Sequence, residues 1–254
     1  MHNKLLELSM NNLADEDGDI LHIPHGDMPG DKINIEKSHI EKAKVIFPEL
    51  IKKVKECATT NSKVVITVCG GSGVGKSEIA SLLAHYFENM GVGCYTLSGD
   101  NYPYRIPVYN DAERLRIFRE SAIRGMITDG EYSFERFNII HQYQLENKDS
   151  EPKNIVKYPW YESYIRNGAM GLQGYLGTEK EINFFEIQNI VKEFKSGAEK
   201  IWLKRMGRED TELWYEEVDF SEKDILIIEW THGNSKNYTG VDIPVLLNST
   251  PKET

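Results

Sequence analysis

The period of the apolar positions changes several times along the chain, and each change marks an element. Val64-Val65-Ile66-Thr67-Val68-Cys69 is a β-branched apolar run of buried-strand length. Ile79, Leu82, Leu83, Tyr86 and Phe87 then recur at helical spacing, until Met90-Gly91-Val92-Gly93 supplies a glycine stop. Cys94-Tyr95-Thr96-Leu97 reads as a second strand, and Asp111 as the cap of a helix reaching about Arg124. Farther on, Ile187, Ile190, Val191 and Phe194 share one helix face, with Thr178-Glu179-Lys180-Glu181 as a capping box ahead of it and Gly197 as its stop. Lys200–Met206 and Glu212–Val218 read as two strands joined by a polar turn around Gly207-Arg208-Glu209-Asp210. Ile225-Leu226-Ile227-Ile228 is a buried strand that ends in Glu229-Trp230, and Val245–Asn248 is the last strand.

The two flanks are less regular. Ser38-His39-Ile40-Glu41 reads as a capping box opening a helical stretch to about Cys57, with Leu50, Ile51 and Val54 on its apolar face. Pro48 either kinks that stretch or starts a second helix. Residues 1–35 are polar and acidic, with breakers at Pro24, Pro29 and Gly30, and read as a leader or extended arm. Residues 130–175 are aromatic and glycine-containing and show no clean period. Strands alternating with helices predict an α/β fold, a parallel sheet sandwiched by helices, with its site at the carboxyl ends of the strands. The domain division expected is a polar leader and helical extension over 1–60, then one domain over 61–254.

The first strand and helix flank Gly70-Gly71-Ser72-Gly73-Val74-Gly75-Lys76-Ser77, which fits the P-loop pattern of Gly, four residues, then Gly-Lys-Ser. Strand, glycine loop, helix is the context that motif requires. The glycines let successive N–H groups turn inward as an anion nest, and the helix adds the positive end of its dipole. Gly71, Ser72, Gly73, Val74, Gly75, Lys76, Ser77 and Glu78 are therefore expected to hold the phosphates of ATP. Lys76 should reach the β- and γ-phosphates and Ser77 should hold Mg²⁺.

Composition narrows the partners. The chain has 254 residues and a net charge of −10, which argues against broad nucleic-acid binding. No apolar stretch is long enough for a membrane span and no signal peptide is evident, so a cytoplasmic protein without a membrane partner is expected. Three scattered cysteines, Cys57, Cys69 and Cys94, have no metal-ligand spacing and are expected to stay reduced.

Phosphoryl transfer also needs a metal ligand and a group that orients or deprotonates the acceptor. Asp100, just after the second strand, is placed for the latter; the plainer reading is a turn aspartate in Gly-Asp-Asn. Glu229, after four apolar strand residues, is placed to hold Mg²⁺; the plainer reading is an acid where a strand meets solvent. His232 is adjacent and more often such a loop histidine is a surface hydrogen-bonder. Arg105, Arg114, Arg116, Arg119 and Arg124 crowd one stretch, with Lys204, Arg205 and Arg208 as a second basic group. Arginines at these places suit an anionic acceptor, or else sit in solvated ion pairs. Tyr102 and its aromatic neighbours could stack on a base or sugar, or simply pack.

Gly70–Ser77, Ser98-Gly99-Asp100-Asn101-Tyr102 with Arg105, Ile225–Glu229, and Asp242-Ile243-Pro244-Val245-Leu246-Leu247 occur in an order that resembles the phosphoribulokinase/uridine kinase family of P-loop kinases. The resemblance implies a parallel core of about five strands with a small substrate-side β-hairpin over Lys200–Val218. It implies transfer from ATP, with Mg²⁺, to a hydroxyl of a small metabolite such as a nucleoside or sugar phosphate. It makes Lys76, Asp100 and Glu229 catalytic, Ser77 and Glu229 the metal ligands, and Asp100, Tyr102, Arg105, Arg205 and His232 the acceptor site. Adenylylsulfate kinases are similar in the P-loop and following aspartate. A regulatory nucleotide switch is the alternative from another class; no Asn-Lys-x-Asp guanine-reading stretch is present. The family usually has glycine where this chain has Trp230. Thr250-Pro251-Lys252-Glu253 reads as the start of a helix at the end of the chain. In the family that helix carries an arginine-bearing lid, so a kinase domain short of its lid is expected, with self-association through apolar surface left around Val245–Leu247.

Overall fold

A computed structural model describes residues 4–9, 23, 26–30 and 32–248. The elements in chain order are α1 (Lys37–Ala58), β1 (Val64–Gly70), α2 (Lys76–Asn89), β2 (Cys94–Ser98), α3 (Pro107–Thr128), α4 (Phe134–Leu145), α5 (Lys153–Lys157), α6 (Tyr161–Gln173), α7 (Phe184–Lys195), β3 (Lys200–Met206), β4 (Leu213–Asp219), β5 (Ile225–Trp230) and β6 (Ile243–Leu247). They fall into two compact units, residues 1–103 with 183–254, and residues 104–182.

The first unit is built on a parallel sheet in the order β2-β5-β1-β6. The described sheet has four strands where about five were expected, and the hairpin β3–β4 stands apart as an antiparallel pair. The order is a consequence of burial. All seven residues of β1 and all six of β5 are buried, so these strands take the centre, covered on both faces. Alternate residues Val64, Ile66, Val68, Ile225 and Ile227 pack with α1 and α2 into one core, which also takes in Leu5, Leu8 and Ile23 from the N-terminal segment. On the other face Trp230 meets Phe184 at the start of α7 and Tyr238, with ring centroids 5.4 and 6.0 Å away. Parallel register brings the strand ends to one edge: Val68 pairs with Glu229, and Glu229 with Ser98.

Local readings shift at the helix starts. α1 is one continuous helix with Pro48 inside it, capped by Glu36 in a box with His39 rather than by Ser38 with Glu41. α7 is capped by Asn183, whose side chain accepts from Glu186 N at 3.2 Å; Thr178 instead closes a turn onto Tyr175 O. α3 begins at Pro107 in its first turn, ahead of Asp111. The helix start read at Thr250–Glu253 lies outside the described residues.

The second unit is helical. Phe118, Ala122 and Met126 of α3, Ile140 of α4 and Tyr161 and Tyr164 of α6 form its core. The stretch 130–175, without a clean period, therefore holds α4, α5 and α6. Half of that core is aromatic, and Tyr161 and Tyr164 are fully buried while their hydroxyls bond to Asp149. A residue with a polar tip on a core face blurs the apolar pattern. Among the described residues no helix is long and apolar enough to cross a membrane.

Candidate active site

The loop between β1 and α2 turns through left-handed backbone at Gly73 (φ 75°) and Gly75 (φ 84°). Gly75 is the residue before α2, and its carbonyl accepts the first helical bond from Ile79 N at 3.0 Å. A side chain there would be strained and would strike the His39 ring, 2.9 Å from the Cβ position. The amides of the first turn of α2 have no intrahelical acceptor, which makes them donors for an anion. Lys76 folds back over the loop, its Nζ donating to Gly71 O at 2.8 Å.

Glu229 enters this loop from β5. Ser77 Oγ donates to its Oε2 at 3.2 Å, and Ser98 Oγ at the end of β2 donates to its Oε1 at 2.6 Å. The carboxylate is 4% exposed. Burial pushes its pKa up to about 7; the Ser98 hydrogen bond opposes this, the nearby Asp100 charge adds to it, and Ser77 and Lys76 oppose it. Strand, glycine nest, helix-borne serine and an acid from the neighbouring strand thus meet at one edge. This is the geometry of a P-loop.

The oxygens of Ser77 and Glu229 are hard donors of the kind Mg²⁺ takes. Among the described residues no group of three or more His, Cys, Asp or Glu could hold a metal by itself. Asp100 is exposed in a single 3₁₀ turn, Gly99–Asn101, directly after β2. Gly99 lies against Trp230: a Cβ at that position would fall 2.1 Å from the indole ring. Trp230, where the resembled family has glycine, therefore packs in the core and requires the glycine beside Asp100.

The other expected acceptor residues fall out differently. Tyr102 is fully buried, and its hydroxyl has no hydrogen-bond partner among the described residues, so it packs rather than offering a stacking face. Arg205 is 5% exposed and already paired: Nη1 donates to Asp27 Oδ2 at 2.7 Å and Nε to Glu216 Oε2 at 2.9 Å. His232 is half-buried, its ring edge-on to Trp230 at 5.4 Å. Arg105 belongs to the helical unit, where Nη1 donates to Tyr175 OH at 3.0 Å and Nη2 lies 3.9 Å from Glu113. Arg114 pairs with Glu181 at 2.6 Å and Arg119 with Asp149 at 2.7 Å, while Arg116 spans Glu113 and Glu120 on the helix surface. Two residues were given no role of their own in the sequence: Ser98, named only within the Ser98–Tyr102 stretch, and Asp27, one acid among many, which bonds to Ser98 N.

The chain has recognisable relatives. Residues 48–124 match the Zeta toxin family. Over 207 residues the chain is 39% identical to the bifunctional alpha-galactosidase/sucrose kinase AgaSK of Mediterraneibacter gnavus. That match takes in 81% of this chain and spans 17% of the length of the relative. A solved structure from Silicibacter sp. TM1040, a candidate fructose transport system kinase, is 12% identical over 83% of this chain and 76% of its own, with a TM-score of 0.48. The family matched is Zeta toxin; the likeness to phosphoribulokinase and uridine kinase rests on motifs alone.

Proposed function

We infer that this protein is a small-molecule kinase, transferring the γ-phosphoryl group of ATP to a hydroxyl of a small metabolite, with a sugar as the acceptor class. The observation that carries this is Glu229 held between Ser77 of the P-loop and Ser98 of β2, with Lys76 and Asp100 acting on it through space. The sugar is proposed by analogy with AgaSK, a sucrose kinase.

Each residue has one task. The amides of Gly71–Gly75 and the α2 N-terminus cradle the phosphates, and Lys76 swings from Gly71 O to the β- and γ-phosphates. Ser77 and Glu229 would hold Mg²⁺, which supplies charge neutralisation at the phosphates. Asp100, exposed in the turn directly after β2, takes the proton of the attacking hydroxyl. His232, beside Trp230, contributes to the acceptor side, while Tyr102 and Arg205 keep to the interior roles described above.

The test is ADP release from ATP and Mg²⁺ with sucrose, fructose, nucleosides and adenylylsulfate offered in turn. Acceptor-dependent release is expected with a sugar. Asp100→Asn should lower kcat by about 10²–10⁴, the usual worth of a general base, with the KM for ATP unchanged. Tight ATP binding with no acceptor-dependent release would favour the nucleotide-switch alternative, and release with adenylylsulfate alone would move the acceptor to that class.

A further inference from the structure

The segment before α1 reaches the site through one residue. The Asp27 side chain is 8% exposed and takes four donors. Its Oδ1 accepts from Ser98 N at 2.7 Å and Asn101 Nδ2 at 3.2 Å; its Oδ2 accepts from Tyr95 OH at 2.9 Å and Arg205 Nη1 at 2.7 Å. The network closes on itself. Arg205 Nη2 also donates to Tyr95 OH at 2.9 Å, and Asn101 Oδ1 accepts from Met206 N at 3.0 Å. One carboxylate therefore joins the N-terminal segment, the end of β2, the turn that carries Asp100, and the β3–β4 hairpin.

Two of the residues it grips, Ser98 at the end of β2 and Asn101 in the turn, bracket Asp100. Ser98 is also the residue whose hydroxyl holds Glu229. Gly26 lies alongside: a Cβ there would come 3.8 Å from Glu229 Oε1. The turn itself is a single 3₁₀ turn closed by Tyr102 N donating to Gly99 O at 3.1 Å. One such turn has little hold on its own geometry. A buried carboxylate with four donors and a buried counter-ion has few other places to sit, because any displacement strands charged groups away from water.

We propose that Asp27 is a positioning residue of the phosphoryl-transfer site, fixing the Ser98–Asn101 segment and through it the carboxylate of Asp100, with Arg205 as its buried counter-ion. The proposal rests on the kinase reading above and on Asp100 as the base. It makes the N-terminal segment part of the site and explains why an arginine placed for an acceptor is spent inside the protein.

The test uses the full 254-residue chain. In Asp27→Asn, amide hydrogen exchange over 97–102 should rise while the P-loop, 70–78, stays protected. Unchanged exchange over 97–102 overturns the proposal whatever the kinetics show. With ATP, Mg²⁺ and sucrose as the acceptor probe, kcat should fall by about ten- to a hundredfold, the usual cost of ångström-scale misplacement, with the KM for ATP unchanged. Introduced into Asp100→Asn, the same substitution should change kcat by less than about twofold, because the base it positions is gone. An equal loss in both backgrounds identifies an ordinary structural ion pair and overturns the proposal. If Asp100→Asn alone leaves kcat intact, or sucrose is not phosphorylated, the kinase reading fails separately and the exchange measurement still decides what Asp27 holds. Tyr95→Phe, which removes one of the four donors and leaves the charge pair, should give the same pattern at smaller amplitude and serves if Asp27→Asn does not fold.

Discussion

Charge is arranged in opposite ways in the P-loop region and along α3. At the strand ends Glu229 is buried against two serine hydroxyls, and burial raises its proton affinity. Along α3 each arginine meets an acid within its own unit: Arg114 with Glu181, Arg116 with Glu113 and Glu120, Arg119 with Asp149. The first arrangement carries an uncompensated desolvation cost, which a cation would offset under the function proposed above. The second is neutral in place and has nothing left over for a ligand. Clustering of arginines in the sequence therefore says little about anion binding until their partners are known, whereas a lone strand-end glutamate beside a P-loop says a good deal.

The largest effect expected from this contrast is at Lys76. Lys76→Ala should abolish phosphoryl transfer and weaken ATP binding while leaving the fold intact, checked by ADP release and circular dichroism. Wild-type turnover would mean that the strand-end charges are not a phosphate site.

The pH dependence of stability sharpens the contrast next. Glu229 holds its proton more tightly folded, up to about 7, than at the ordinary value of 4.5. Between these values the native state binds more protons than the unfolded state, so this group makes stability fall as pH rises from about 4.5 to 7. Glu229→Gln, which cannot ionise, should flatten that part of the denaturation profile of the ligand-free protein and raise stability at pH 7. A profile identical to wild type would place the charge cost elsewhere.

Smaller effects are expected on α3, and they should differ between neighbours. Arg119→Ala leaves Asp149, 2% exposed at its side chain, with the Tyr164 hydroxyl at 2.8 Å in place of an ion pair. Loss of about 3 kcal/mol in chemical denaturation is expected, the low end for breaking a buried pair. Arg116→Ala removes an exposed pair and should leave the midpoint of unfolding unchanged. Equal losses at the two positions would show that burial of the partner does not set the worth of these pairs.

The sequence by itself determined the elements whose signal is local. β1, the glycine loop and α2 follow from a β-branched run, a fixed glycine spacing and a helical period lying next to one another. Asp100 and Glu229 were legible because each follows an apolar strand, and parallel strands bring such ends to one edge. The apolar face of α7 and the β3–β4 hairpin were legible for the same reason, while the caps at Glu36 and Asn183 were not, because several capping residues stand near each helix start. The helices of 134–173 escaped because buried tyrosines break the apolar pattern. Only the tertiary structure decided the fate of Asp27 and Arg205, which are 178 residues apart. The partners of Asp27 on β2 and its turn are 68 to 74 residues away. Neither side chain differs in type from the acids and arginines around it. Its role is set by which charge it meets in the absence of water, and that meeting exists only once distant segments have packed.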